Sequence, residues 1–160
     1  MSDKTEDKQE KQEKPEVPEE KTVFTSHTVT LGGQEIKYSV TAGTIVLKEE
    51  DEEKGVKPKA SIFYIAYTRD DIEDHTTRPI TFSFNGGPGS SSVWLHLGLL
   101  GPKRVKLDED GKPFPPPYEL VENDYSLLDK TDLVFIDPVS TGYSRTVPGE
   151  KAEQFHDVKK

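Results

Sequence analysis

A glycine-rich segment at 85–92, Asn-Gly-Gly-Pro-Gly-Ser-Ser-Ser, holds the residue types best suited to chemistry in this 160-residue chain. Three glycines within four positions cost conformational entropy, and such a cost is usual where backbone must approach a ligand closely. Successive Gly N–H groups before a helix favour negative charge, so the ligand is either a phosphate or the oxyanion of an acyl-transfer intermediate. The alternative is a tight structural turn without a ligand.

Neither common phosphate-binding signature fits this segment. The dinucleotide pattern Gly-x-Gly-x-x-Gly requires a glycine three residues after Gly89, where the chain has Ser92. The Walker pattern requires Gly-Lys-Ser/Thr, which does not follow at the right distance. The sequence therefore favours the oxyanion interpretation.

Composition excludes several other classes of protein and site. With 21 basic and 30 acidic residues the net charge is -9, which argues against a nucleic-acid partner. An apolar run of 18 residues and a secretory leader are both absent, so we expect no membrane span and a cytoplasmic location. We expect no metal and no cofactor, because there is no cysteine and the histidines are scattered. These are His27, His75, His96 and His156.

The first half of the chain predicts a charged tail followed by an antiparallel meander. Residues 1–22 are predicted to be disordered, because they have too few apolar side chains to offset ordering entropy. Gly32-Gly33 between β-branched segments indicates a hairpin, Gly43 a second break, and 49–59 an acidic loop. About five strands are predicted, at 28–31, 36–40, 44–47, 60–67 and 79–84.

The second half predicts a different, α/β organisation. A short apolar helix at 93–100 follows the glycine segment, with serines 90–92 as its predicted caps. A proline-rich loop at 107–117 leads to a buried strand at 132–137. Strand, loop, helix, long loop and strand together predict a right-handed crossover, so the meander leads into a mixed sheet.

Two motifs make the sequence similar to a known family. Segment 85–92 resembles the Asn-Gly-Gly-Pro-Gly-x-Ser-Ser signature of the serine carboxypeptidases, which are peptidases with the α/β-hydrolase fold. Segment 133–144 is similar to that family's apolar strand followed by Asp, Pro-Val, Thr-Gly, an aromatic residue and Ser, and 97–102 lies at the family's spacing. The resemblance runs from about 79 to 144. It implies that 23–160 form the N-terminal portion of an α/β-hydrolase domain of the bacterial type.

The resemblance also implies roles for individual residues. In that family a Ser-Asp-His triad removes the C-terminal residue of a peptide. Asn85 and Gly86 match the positions that bind the α-carboxylate of the substrate, which is a peptide with a free C-terminus. Gly87 matches the position whose backbone N–H forms half of the oxyanion hole, and the other half is the N–H after the nucleophile.

The nucleophile itself is expected outside these residues. A nucleophile elbow reads Gly-x-Ser-x-Gly, and neither 89–92 nor 142–145 fits it. We therefore expect a serine-type carboxypeptidase of which these 160 residues alone are inactive. A non-catalytic fragment that binds peptide carboxylates, and another α/β hydrolase such as an aminopeptidase or esterase, stay open as alternatives.

Three further residues are weaker candidates near the glycine segment. His96 on the short helix and Tyr143 after the second strand are candidates for lining the substrate cleft, although a packing or surface role is the alternative for His96. Asp137 ends a strand at the edge where function concentrates in open α/β sheets. We expect Asp137 to act as an acceptor that fixes a loop rather than as a catalytic acid.

Departures from the family pattern refine these expectations. Ser83 stands where many members have Trp, Ser90 where many have Cys, and Leu99 where many have Glu. The missing Glu argues against an acidic pH optimum, because that Glu pairs with another carboxylate whose pKa is thereby raised. If the rest of the hydrolase is absent, strand 132–137 is expected to have an unpaired edge and an uncovered apolar face, which would favour self-association.

Overall fold

The computed structural model describes residues 18–51, 55–86 and 89–156. The strands in these ranges are β1 Thr22–Leu31, β2 Gln34–Asp51, β3 Gly55–Arg69, β4 Ile80–Ser83, β5 Lys103–Val105, β6 Leu120–Glu122, β7 Asp132–Ile136 and β8 Arg145–Thr146. The helical segments are short: α1 is Val93–Leu95, a π-helical turn spans His96–Leu100, and 3₁₀ turns lie at His75–Thr77, Leu127–Asp129 and Ala152–Phe155.

One mixed sheet organises the chain. Its strand order is β1-β2-β3-β7-β4, with β8 paired to β3, while β5 and β6 form a separate hairpin. Strands β1, β2, β3 and β7 pair antiparallel, and β4 pairs parallel with β7. The sheet therefore changes from antiparallel to parallel at the pair β7 and β4, which carries the glycine segment at its end.

The predicted five-strand meander is wrong, although its hairpin at Gly32-Gly33 is confirmed by positive φ angles of 57° and 82°. Gly43 does not break a strand, because β2 runs through it and pairs on both sides. A Cβ at Gly43 would lie 2.6 Å from the carbonyl oxygen of Lys21, so this glycine permits a close backbone approach. The meander has three strands, since β4 leaves it to pair with β7.

Two predicted irregular segments are partly strand. The acidic loop at 49–59 is entered by β2 and β3 from both sides, and Lys59 Nζ lies 2.9 Å from Glu49 and 3.1 Å from Glu150. The positive charge of Lys59 thus offsets the negative charge of these two glutamates. The ordered chain also begins before Val23: the Glu20 carboxylate accepts a hydrogen bond from the Val46 amide at 2.8 Å. The rest of the predicted tail, 1–17, lies outside the described residues.

The two faces of the sheet are buried to different extents. One face carries the buried apolar cluster of Val29, Leu31, Ile36, Tyr38, Tyr67, Leu128, Leu133 and Phe135, against which Leu95 and Leu100 of the helical segment pack. The opposite face carries large side chains that are more than half exposed, namely Phe24, Ile45, Ile80 and Phe82. The alternation along each strand separates these two sets.

The prediction that strand 132–137 has an unpaired edge is wrong. Strand β7 lies between β3 and β4, and β4 is the end strand in this part of the chain. Leu133 and Phe135 are fully buried, while Val134 and Ile136 on the other face are half-buried. The edge next to β7 therefore belongs to β4, four residues long, and β1 forms the opposite edge of the sheet. The uncovered face extends over the whole sheet.

Candidate functional site

A pocket lies where the loops after β4 and β7 meet. Because these two strands are parallel neighbours, their carboxyl ends share one edge of the sheet, where open α/β sheets bind ligands. The pocket has a volume of about 510 Å³. Its lining comes from both loops and from the last 3₁₀ turn, and comprises Asn85, Gly86, Gly89, Ser90, Pro138, Val139, Ser140, Thr141, Phe155 and His156.

Two residues of the glycine loop that line this pocket carry polar groups without partners among the described residues. Asn85 Oδ1 is buried and has no hydrogen-bond partner among the described residues. Gly86 is exposed. Among the described residues its amide has no backbone partner, and a Cβ added there would meet no atom within 4 Å. Gly89 has a φ of 95°, which favours glycine. Asn85 and Gly86 thus both line the pocket. Gly87 lies outside the described residues, so its oxyanion role stays a prediction.

Asp137 joins the two loops through its buried carboxylate. Its Oδ1 accepts hydrogen bonds from the backbone N–H and the hydroxyl of Ser92, both at 2.9 Å. Its Oδ2 accepts one from the backbone N–H of Tyr143 at 3.0 Å. The predicted role of Asp137 as a loop-fixing acceptor is confirmed.

The loop after β7 has a backbone shaped around that carboxylate. A Cβ at Gly142, whose φ is 47°, would lie 1.7 Å from Asp137 Oδ2, so no larger residue fits without displacing the carboxylate. Ser140 has a φ of 72°, a conformation that costs energy for a non-glycine residue and is concentrated at functional sites. Ser144 is fully buried, donates to the Asp137 carbonyl and accepts from the Phe63 amide. This loop is therefore a rigid wall of the pocket.

The serines that follow the glycine loop do not all act as predicted. Ser92 occupies the position before α1, but its side chain makes no capping hydrogen bond, because the hydroxyl donates to Asp137. The capping prediction is wrong for Ser92. The Asp137 carboxylate takes over the capping task by accepting from the Ser92 amide.

Tyr143 and His96 lie in a different place from the glycine loop. Both line a second, largely apolar cavity of about 580 Å³ beside β3 and α1, together with Phe63 and Ile65. Tyr143 is exposed, with its ring 5.1 Å from that of Phe63. His96 is buried and its Nε2 lies 2.5 Å from the Tyr67 hydroxyl, so it has the packing role. Neither residue lines the pocket that contains Asn85 and Gly86.

Sequence reasoning missed the far wall of the pocket. Phe155 and His156 reach it from a 3₁₀ turn far along the chain, and no local signal predicts that approach. Ser140 and Thr141 have a signal, since Thr-Gly after a strand end marks a tight turn. Within the residues that the structure describes, no group of three His, Asp or Glu side chains can hold a metal ion. In the same ranges no helix has the length and apolar content needed to cross a bilayer.

Comparison with known proteins gives the family. The profile described as serine carboxypeptidase matches residues 52–159. The pheromone-processing carboxypeptidase KEX1 of Saccharomyces cerevisiae is 38% identical over 104 residues, 64% of this chain and 13% of that protein. Serine carboxypeptidase-like 36 of Arabidopsis thaliana is 37% identical over 90 residues, 56% of this chain and 17% of that protein.

The fold agrees with these relatives. The crystal structure of KEX1(delta)p, a prohormone-processing carboxypeptidase from Saccharomyces cerevisiae, matches with a TM-score of 0.50 and 36% identity. The match covers 66% of this chain and 20% of that one, and it supports an N-terminal part of an α/β-hydrolase fold. The chain thus spans less than a fifth of the length of the curated relatives it matches. With a family profile over two thirds of its residues, the chain belongs to the serine carboxypeptidase family.

Proposed function

We propose that this chain supplies the carboxylate-binding and oxyanion-binding loop of a serine-type carboxypeptidase, which removes C-terminal residues from peptides. One observation carries the proposal: Asn85 and Gly86 hold unpaired polar groups in a pocket at the carboxyl edge of two parallel strands. An α-carboxylate only accepts hydrogen bonds, so its partners here would be the Gly86 amide and the NH₂ of Asn85, an amide side chain whose Oδ1 has no partner among the described residues.

The geometry suits the free end of a peptide. The side-chain NH₂ of Asn85 and the backbone N–H of Gly86 can donate to the two oxygens of an α-carboxylate. The family resemblance implies that the next residue, Gly87, supplies an oxyanion donor, although Gly87 lies outside the described residues. One oxyanion donor contributes roughly 10²- to 10³-fold to turnover.

Hydrolysis needs a nucleophile paired with a base, and the buried serines and the buried histidine beside the glycine loop have other partners. The hydroxyls of Ser92 and Ser144 donate to Asp137, and His96 is hydrogen-bonded to Tyr67. None of these serines lies in a Gly-x-Ser-x-Gly sequence. The 160 residues alone therefore bind a C-terminal carboxylate without hydrolysing the peptide.

Calorimetry with two matched ligands tests the binding step. An N-acetylated dipeptide with a free carboxylate is compared with its C-terminal amide, on the wild type and on Asn85→Ala. We expect the acid to bind at least about tenfold tighter than the amide, a difference of about 1.4 kcal/mol, and Asn85→Ala to lose that preference. Gln34→Ala, in the distant hairpin, serves as the control. Equal binding of acid and amide by the wild type would refute the proposal.

Labelling of the native gene product separates the enzyme from a non-catalytic binding module. A serine-reactive fluorophosphonate is added to cell extract, and the labelled product is identified by mass. A labelled product that contains these residues and a Gly-x-Ser-x-Gly elbow supports the carboxypeptidase. An unlabelled product that still binds the acid ligand supports the binding module instead.

The open edge of β4 is the proposed site of self-association. Ile80 and Phe82 on this strand are more than half exposed, and the sheet ends there in the part of the chain described. Unpaired strand edges with apolar side chains pair readily with other chains. We expect Phe82→Lys to shift the 160-residue chain toward monomer in sedimentation velocity, while Phe114→Lys in the proline-rich loop does not. A wild type that is monomeric at high concentration would contradict this.

A further inference from the structure

A buried histidine outside the glycine-loop pocket has no task in the proposed function. His96 begins the π-helical turn that follows α1, four residues after Ser92. Its ring lies 4.7 Å from that of Phe135 on β7 and 5.4 Å from that of Tyr67 on β3. Its Nε2 lies 2.5 Å from the Tyr67 hydroxyl, which gives the helical segment a polar contact with the middle of the sheet.

The segment that contains His96 continues directly from the glycine loop. At its start, Ser92 is held by Asp137. At its end, Asn123 donates to the carbonyl of Leu99, which fixes the segment to a neighbouring loop rather than to the sheet. Between these two attachments the segment meets the sheet through the packed side chains of Leu95 and Leu100 and through the polar contact of His96 with Tyr67.

The surroundings of His96 favour its neutral form. Burial among aromatic rings lowers the pKa of His96 to about 4, although the Asp137 carboxylate opposes this shift. Burial also raises the pKa of Tyr67, so that hydroxyl stays protonated. The Tyr67 hydroxyl can donate to or accept from a neutral ring, whereas an imidazolium can only donate to it, so the cost of protonation comes from the charge placed among buried rings.

Few titratable or charged groups surround the ring. Tyr67 on β3 and Asp137 after β7 face it, and Tyr38 on β2 lies behind Tyr67. Lys103 and Arg104 lie on β5, the strand packed against the π-helical turn. The turn itself, His-Leu-Gly-Leu-Leu, carries no other titratable side chain.

We propose that neutral His96 is a positioning residue for the glycine loop: it fastens the segment 92–100 to the sheet through Tyr67, and acidification releases that segment. This inference rests on the proposed function, because the position of the loop matters only where the loop binds substrate. Protonation would place a charge in the aromatic cluster, and the ring would leave it to reach water. The glycine loop would then lose part of its support.

The chain carries a natural reporter for this movement. Trp94 is its single tryptophan and lies two residues before His96. We expect Trp94 fluorescence to change with a midpoint near pH 4, the pKa of His96. His96→Gln keeps a hydrogen-bonding group but does not titrate, so the midpoint should disappear or move down by at least about one pH unit. His75→Gln, in an exposed 3₁₀ turn, should keep the wild-type midpoint.

A measurement on the wild type covers the case in which His96→Gln does not fold. Ring-nitrogen NMR follows the protonation of His96 while hydrogen exchange follows the amides of 93–100. We expect both to change at the same pH. A ring that titrates while those amides keep their protection, or a His96→Gln chain with the wild-type midpoint, would overturn the proposal.

Ligand binding distinguishes this proposal from the proposed function. The acetylated dipeptide acid is titrated into the wild type and into His96→Gln at pH 4, where protonation of the ligand affects both equally. At a pH equal to the His96 pKa, half of the wild-type molecules are protonated there, so wild-type affinity should fall by as much as about twofold relative to the variant. Absence of binding at every pH, with the Trp94 transition intact, would refute the proposed function alone. Equal affinities at pH 4 would refute the positioning role alone.

Discussion

The loops after β4 and β7 lie side by side yet satisfy their polar groups in opposite ways. In the loop after β7, the amides of Ser140, Thr141, Tyr143 and Ser144 all donate within the loop, Tyr143 to the Asp137 carboxylate. In the loop after β4, the Gly86 amide has no backbone partner among the described residues and Asn85 Oδ1 is unsatisfied. The first loop satisfies its own amides, and the second leaves polar groups without partners, as the proposed function requires. Both contain glycine, so glycine content alone does not tell them apart.

The largest effect should come from Gly142→Ala in the loop after β7. Its Cβ would lie 1.7 Å from Asp137 Oδ2, and its φ of 47° is strained for alanine. Left-handed strain and displacement of the carboxylate together should cost about 4 kcal/mol or more in free energy of unfolding. Urea denaturation measures this loss.

Gly149→Ala is the matched control for that variant. Gly149 also has a positive φ, 89°, but a Cβ there meets no atom within 4 Å. It should cost only the backbone strain, about 1–2 kcal/mol. Equal losses for the two variants would mean that the Asp137 contact contributes nothing.

Asp137→Ala should have the second largest effect. The substitution leaves the Ser92 amide, the Ser92 hydroxyl and the Tyr143 amide without their acceptor. Buried donors without partners should cost about 3 kcal/mol together, measured by urea denaturation. Asp124→Ala on the exposed surface should change stability by less than about 0.5 kcal/mol. A loss below about 1 kcal/mol for Asp137→Ala would contradict the role of this carboxylate as the link between the loops.

Ser144→Ala should destabilise the protein less than Asp137→Ala does. Its hydroxyl donates to the Asp137 carbonyl at 2.6 Å and accepts from the Phe63 amide at 2.8 Å. We expect a loss of about 2 kcal/mol in thermal or urea unfolding, because both partners are left unsatisfied. Ser140→Ala, an exposed neighbour at the same loop, should be neutral within about 0.5 kcal/mol. Equal changes in the free energy of unfolding for Ser144→Ala and Ser140→Ala would contradict this interpretation.

Gly86→Ala should have the smallest effect on stability and a clear effect on binding. A Cβ there meets no atom of the described residues within 4 Å, so the free energy of unfolding should change by less than about 1 kcal/mol. The added methyl group would occupy space where a ligand approaches the backbone. We expect affinity for the dipeptide acid to fall about tenfold in calorimetry. Unchanged affinity would show that this loop is a structural turn like its neighbour.

Local sequence signals predicted several features correctly. The hairpin at Gly32-Gly33 forms because two positive φ values are available there without steric cost. Asp137 was recognisable as an acceptor because an acid at a strand end faces the backbone amides of the loop that follows. The strand 132–137 and the helical segment near 93–100 lie where the apolar runs indicate, the latter as one α-turn and one π-helical turn.

Contacts between distant segments decided what the sequence could not. From the sequence alone, Gly43 looks like a glycine in a turn. It lies inside β2, where the backbone of Lys21 approaches it closely. Parallel pairing of β4 with β7 depends on the crossover that brings them together, not on either strand alone. His96 has the sequence setting of an exposed helix residue, and only the packing of Tyr67 and Phe135 makes it buried.

The sequence by itself determined the glycine loop, the family and the turn chemistry, because these depend on residues within a few positions of one another. The tertiary structure decided which loop leaves an amide without a backbone partner, which strands lie at the edges of the sheet and which histidine is buried. Those properties depend on hydrogen-bond partners and packed surfaces that come from residues tens of positions apart. The composition of a single segment does not specify such partners.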